Sequence, residues 1–210
     1  MGAKLWIADS FLERIADGTI DLDTNTIMAA LVTSSETPSY AAWAGTTAYI
    51  TSDIKIPTVR NGHRYKCKTA GTSAGSEPTW PTTAAGEVTD GTVTWQEYGG
   101  DLCDLAVWAD ASANEVATGN GYTTGGVELT TKTLTRTVKT VVFDADDAEW
   151  TALTKTMLFC FIYADGTVGA VTDPLIGYVL LDDTLTDVAI SGVDFRVVWN
   201  ASGILTWSAV

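Results

Sequence analysis

The residues able to do chemistry are few and far apart. His63 is the only histidine in 210 residues. A histidine-rich metal centre needs several such ligands, and a nucleophile relay needs a Ser and an acid near the base. Neither stands at a recognisable spacing from His63. Asp144, Asp146 and Asp147 are spaced somewhat like the start of a calcium loop, and Asp144 and Asp146 share a face if extended. The remaining oxygen ligands and the closing Glu are missing, so a solvated turn is expected there. The segment Gly119-Asn-Gly-Tyr-Thr-Thr-Gly-Gly126 has the glycine content of a phosphate loop but lacks the Gly-Lys-Ser/Thr ending and any βαβ setting, so it reads as a turn. Acids are abundant enough for a glycosidase pair, with no positive sign of one. No catalytic residue, metal ligand or cofactor follows, and the chain is expected not to be an enzyme. The binding candidates are aromatic. Flat, exposed Trp and Tyr faces stack on sugar rings, and residues 43–100 are dense in them: Trp43, Tyr49, Tyr65, Trp80, Trp95 and Tyr98. Trp43, Tyr65, Trp80 and Trp95 are the candidate carbohydrate contacts. The competing reading is that they form the core of a small module.

The elements that position these residues are mostly strands. Two apolar runs, Met157–Tyr163 and Leu175–Leu181, are of strand length and rich in β-branched and aromatic residues. Their continuous hydrophobicity predicts neighbouring strands covered on both faces, or covered on one face by a neighbouring chain. A protruding loop should link them. One helix is expected over Ile7–Gly18, capped by Asp9 or Ser10 and stopped by Gly18. Further strands are expected at Thr24–Thr33, Ala48–Ile56, His63–Thr69, Thr92–Tyr98, Asp101–Trp108, Val127–Leu134, Arg136–Phe143, Ala148–Leu153, Val193–Trp199 and Gly203–Ser208. Many short strands with one helix predict an all-β, antiparallel β-sandwich. The Thr-, Gly- and Pro-rich stretch with five of the twelve Lys and Arg marks a change of character. It predicts a discontinuous domain, 1–42 and 101–210, interrupted by a small β module at 43–100.

Composition narrows the partners. A net charge of −14 argues against nucleic-acid binding, which needs clustered cations. No apolar run reaches the length of a membrane span, and the N-terminus lacks the pattern of a secretory signal. Three widely spaced cysteines, Cys67, Cys103 and Cys160, give neither a disulfide framework nor a metal motif; a cytosolic site of synthesis fits.

Two resemblances rest on particular residues. Asp21–Thr33, Asn114–Gly126, Phe143–Trp150, Pro174–Tyr178 and Trp199–Leu205 occur in the order found in a widespread family of tailed-bacteriophage virion proteins, which the outer domain resembles. The insert is similar to chitin-binding-type carbohydrate modules through Trp43, Tyr49, Gly62-His-Arg-Tyr-Lys-Cys67 and Pro78-Thr-Trp-Pro81. It departs from them at Thr51–Asn61, where those modules have a Gly-Asp turn and a shorter link. The resemblance implies a virion component made in the host cytoplasm: a capsid decoration or cement protein with the insert projecting outward. Its partners would be the major capsid protein or other virion proteins, its copies a homotrimer at a symmetry axis of the shell. A tail-tip, baseplate or fibre-associated protein touching host glycans is the alternative.

Overall fold

A computed structural model describes residues 3–208. The chain divides into a main unit, Met1–Thr37 with Leu105–Val210, and an insert, Pro38–Asp104. The insert thus begins at Pro38 rather than Trp43 and ends at Asp104 rather than Gly100.

In chain order the main unit opens with β1 (Leu5–Ile7), α1 (Phe11–Ala16) and β2 (Ile27–Val32). The insert holds β3 (Ala48–Tyr49), β4 (Ile54–Lys55), β5 (His63–Thr69), β6 (Gly71–Thr72), β7 (Glu87–Asp90) and β8 (Val93–Gly100). The main unit resumes with β9 (Val127–Glu128), β10 (Thr133–Thr137), β11 (Thr140–Asp144), β12 (Ala148–Met157), β13 (Phe159–Ala164), β14 (Thr167–Val168), β15 (Val171–Thr172), β16 (Leu175–Leu180), β17 (Val188–Val197) and β18 (Leu205–Ser208). The fold is all-β, with antiparallel ladders and, among the described residues, one short α-helix.

The main unit is organised around a five-stranded sheet in the order β1-β16-β13-β2-β9. The two apolar runs are its neighbours β13 and β16, with Phe161 opposite Tyr178 and Cys160 opposite Val179. Every residue of β13 is buried, and all but the last of β16. Both faces are therefore covered within one chain, and these strands offer no face to a neighbouring one. Phe159, Phe161 and Tyr178 interlock on one face, their ring centroids 5.5–6.3 Å apart. On that side Trp108 lies flat on Tyr163 at 4.9 Å. The link between the runs is a small hairpin, β14–β15.

Several expected elements differ. Ala48–Ile56 is not one strand but two short ones, β3 and β4, which pair with β6 and β5 and are separated by a turn where Ser52 adopts φ +81°. The helix is shorter than Ile7–Gly18: it starts after Ser10, which makes no side-chain cap, and ends before Gly18 at φ +77°. Asp101–Trp108 is not a strand but a run of turns leading into a 3-10 turn, Trp108–Asp110. Leu102, Cys103 and Trp108 are buried there without strand periodicity. The expected Val127–Leu134 strand is interrupted where Thr131 adopts φ +52°, and the next hairpin turns at Val138-Lys139 instead of near Thr135.

Candidate functional site

The insert carries the candidate aromatics, and its four-stranded sheet, β4-β5-β8-β7, sorts its side chains by the two-residue period of a strand. Tyr65 and Cys67 on β5 share a face with Val93 and Trp95 on β8, and all four are fully buried. Tyr49 meets Trp95 edge-on at 4.8 Å. Trp80 packs on Tyr65 at 4.3 Å and on Trp95 at 5.8 Å. Trp43 completes the cluster at 8% exposure.

The polar tips of these rings are consumed internally. Asp90, buried at the end of β7, accepts hydrogen bonds at Oδ2 from Trp43 Nε1 (2.7 Å) and Trp95 Nε1 (3.0 Å), and at Oδ1 from the Ala74 amide (2.8 Å). Tyr65 donates to the Pro81 carbonyl at 3.0 Å and accepts from Asn61 Nδ2 at 2.9 Å. Burial pushes its phenol up to about 12, against the opposing pull of the Asn61 bond. Trp80 Nε1 donates to Glu77 Oε1 at 2.8 Å.

Of the four candidate sugar contacts, Trp43, Tyr65 and Trp95 therefore present no ring face to a ligand. A stacked sugar needs an open π-face, and theirs are covered by one another. They are core residues, as a module too small for an aliphatic core requires. Trp80 is half-buried, with one side on Tyr65. Titration with chito-oligosaccharides to millimolar concentration should accordingly leave tryptophan emission unchanged. A shift that vanished in Trp80→Ala would restore the sugar reading for that ring.

The opposite face of the sheet has a different chemistry. Tyr98 is 45% exposed, with the Arg64 guanidinium 5.1 Å and the Lys66 ammonium 4.7 Å from its ring. Arg64 also donates through Nε to the Tyr98 carbonyl and through Nη1 to the Tyr40 hydroxyl. The Arg64 bond to its carbonyl and the two cation–π contacts hold the tyrosine in place with part of its ring open to solvent. Tyr98 is counted among the insert's aromatics but not among the four candidate contacts; the alternation Arg64, Lys66, Lys68 against Tyr65, Cys67 was the available signal. His63 sits on the buried side, its Nδ1 3.0 Å from Glu97 Oε1, and Glu97 also accepts from the amides of Ala85 and Gly99.

Comparison of the chain with protein families, with curated proteins and with solved structures yields no match in any of the three.

The remaining sequence candidates resolve into local structure. In the glycine-rich segment the amides turn inward. Gly125 N donates to Glu115 Oε1 (2.6 Å), Gly126 N to Thr123 O, and Thr124 N to Thr118 Oγ1. Tyr122 donates to the same Glu115 oxygen (2.6 Å) and accepts from the Leu31 amide (3.0 Å), bolting the loop to β2. Burial and the neighbouring Glu115 carboxylate raise the Tyr122 phenol far above its ordinary value. Five of the segment's eight amides, those of Gly119, Tyr122, Thr124, Gly125 and Gly126, are thus already engaged. Asp146 accepts from the hydroxyls of Thr130 and Thr131, and Asp147 from the Trp199 amide. Among the described residues no group of three acids, His or Cys is placed to hold a metal. The three cysteines are buried, and none is in a disulfide.

One carboxylate of the insert carries a pH prediction. Partial burial works to raise the pKa of Glu77, but hydrogen bonds from the Thr58 hydroxyl, Trp80 Nε1 and the Thr58 amide outweigh it and hold the group below its ordinary value. A depressed folded pKa stabilises the fold above the unfolded Glu value and loses that contribution as pH falls through the folded one. Thermal melts from neutral pH downward should show Glu77→Gln less stable than the parent at pH 7. The difference should narrow as pH falls below the ordinary Glu value of about 4.3; a constant difference across the range would contradict the assignment.

Proposed function

We propose that this chain is a non-enzymatic structural component of a tailed-bacteriophage virion: a capsid decoration protein that docks on the head through its main unit. The observation that carries this is where the resembling segments lie. Asp21–Thr33 supplies β2, which Tyr122 of Asn114–Gly126 bonds at Leu31. Trp199 donates through its amide to Asp147 and through Nε1 to the Asp146 carbonyl, joining Trp199–Leu205 to Phe143–Trp150. Ile204 N donates to Phe143 O at the same junction. Pro174–Tyr178 runs into β16, beside the central strand β13 of the buried sheet. Four of the five segments bond in two pairs in this way and the fifth enters a buried strand, which supports a framework role for the residues behind the resemblance.

A net charge of −14 on each copy would keep decorated particles apart. The partners in this reading are the major capsid protein and two further copies of the chain at a symmetry axis. The second reading is a tail-tip, baseplate or fibre-associated protein, favoured by the exposed Tyr98 between Arg64 and Lys66, a contact surface on the insert.

Quantitative mass spectrometry of purified particles, scaled to the major capsid protein, separates the two. Hundreds of copies per particle fit decoration of the shell. A few dozen or fewer move the chain to the tail. Absence from the particle removes both readings.

A further inference from the structure

One edge of the main unit is built differently from the rest. β10 is the outer strand of the sheet β10-β11-β18, and all five of its residues are exposed. Thr137 and Thr140 flank the two-residue turn Val138-Lys139. In such a hairpin the flanking pair is hydrogen-bonded and the bonding alternates along the ladder. Thr133, Thr135 and Thr137 therefore bond to β11. On the far side of β11, Ile204 N donates to Phe143 O, which fixes the same alternation. The amide and carbonyl groups of Leu134 and Arg136 are left pointing away from the sheet, a ready template for another strand.

That free edge borders an apolar groove of about 410 Å³, lined by Ile15, Ile20, Leu22, Leu134, Val141 and Trp207. Leu134 and Arg136 project from the face that also carries Val141. Leu134 remains 48% exposed at the mouth of the groove. At the hairpin tip Val138 holds φ +48°, a conformation that disfavours β-branched residues, and is 89% exposed. Both side chains leave apolar surface open to a partner.

The charge is also distinctive. In a protein of net charge −14, residues 129–143 contain no acid but include Lys132, Arg136 and Lys139. Lys132 is occupied: its Nζ bonds the Asn25 carbonyl, and its charge acts on Asp21 at the groove's rim. Arg136 and Lys139 are exposed and form no salt bridge among the described residues. Two copies meeting edge to edge at β10 would bring these like charges together.

We propose that the β10 edge and its groove form a docking site for an extended, acidic segment of a partner protein, which joins the sheet as a fourth strand. Main-chain bonds to Leu134 and Arg136 would set the register. Side chains at every second position of the segment enter the groove, so those positions are apolar. Carboxylates on the segment pair with Arg136 and Lys139. The site stands whether or not the chain is a particle component.

The test is a random dodecapeptide library selected on the immobilised full chain, followed by binding of one enriched peptide in solution. The expected result is a sequence family alternating apolar residues with Asp or Glu. Its affinity should fall with salt and at least tenfold in the double variant Arg136→Glu, Lys139→Glu, whose sites are solvent-exposed. Leu134→Pro removes an outward donor without removing a ladder bond and should abolish binding, with circular dichroism confirming the fold. No enriched family, or a peptide indifferent to the charge reversal, would overturn the proposal. So would self-association in sedimentation equilibrium that the same double variant abolishes, since the occupant would then be a second copy.

Discussion

Replacing Asp90 by alanine is expected to unfold the insert. The carboxylate is the common acceptor for two buried indole N–H groups and the Ala74 amide. Deleting it relieves the desolvation of one anion but strands three donors in a site closed to water. Each stranded donor costs about 1–3 kcal/mol, for a total of roughly 3–9 kcal/mol on those figures. A single core of this size supplies only about 3–5 kcal/mol of net stability. The loss is therefore comparable with the whole margin. Two readouts should agree: tryptophan emission shifts to the red as Trp43 and Trp95 become wet, and limited proteolysis cuts within residues 38–104. Asp90→Asn keeps one carbonyl acceptor in the same place and should lie between the parent and the alanine variant. An alanine variant with the parent's emission and protease resistance would mean that the aromatic packing alone holds the insert together.

The same carboxylate shows where the sequence stops being legible. The apolar runs of β13 and β16 announce themselves, because a strand buried on both faces must be continuously hydrophobic. The bounds of β5 are those expected from its alternation. The density of Trp and Tyr in the insert is equally plain, but composition does not say which way a ring faces. That depends on Asp90, which lies 47 positions from Trp43 in the chain and bonds its indole in space. Residues 101–108 mislead for a related reason. Leu102, Cys103 and Trp108 are buried as single anchors, so their hydrophobicity carries no strand period. The Val138-Lys139 turn has no Gly, Asn or Pro to mark it, and a β-branched residue in the left-handed region contradicts the usual turn chemistry. Local preference was overridden at those positions by pairing along β10 and β11. The free edge of β10 is legible only after its register is known, since which amides face outward depends on where the hairpin turns.

Gly126→Ala should be the most damaging single-methyl change in the main unit. Gly126 has φ +83°, and a Cβ there would stand 1.9 Å from the Ala29 carbonyl oxygen and 2.6 Å from its carbon. The obstruction is backbone at the middle of β2, in the buried five-stranded sheet, so it cannot swing aside like the end of a flexible side chain. The next residue, Val127, pairs with Ala29 at the start of β9. Relief of the clash must lift β9 from the sheet and with it the Gly125–Glu115 and Tyr122–Leu31 bonds. Strain at positive φ alone costs on the order of 1 kcal/mol; with the lost pairing the total should exceed about 4 kcal/mol. Gly119→Ala is the control: φ is +109°, yet nothing lies within 4 Å of the added carbon, so only the conformational penalty of about 1 kcal/mol applies. Urea denaturation of the two variants measures the gap directly. A wide gap means that the loop's glycines are there to let two backbones touch, which is a demand of the fold. Equal losses would leave positive φ as their whole explanation and would free the loop for a role in binding.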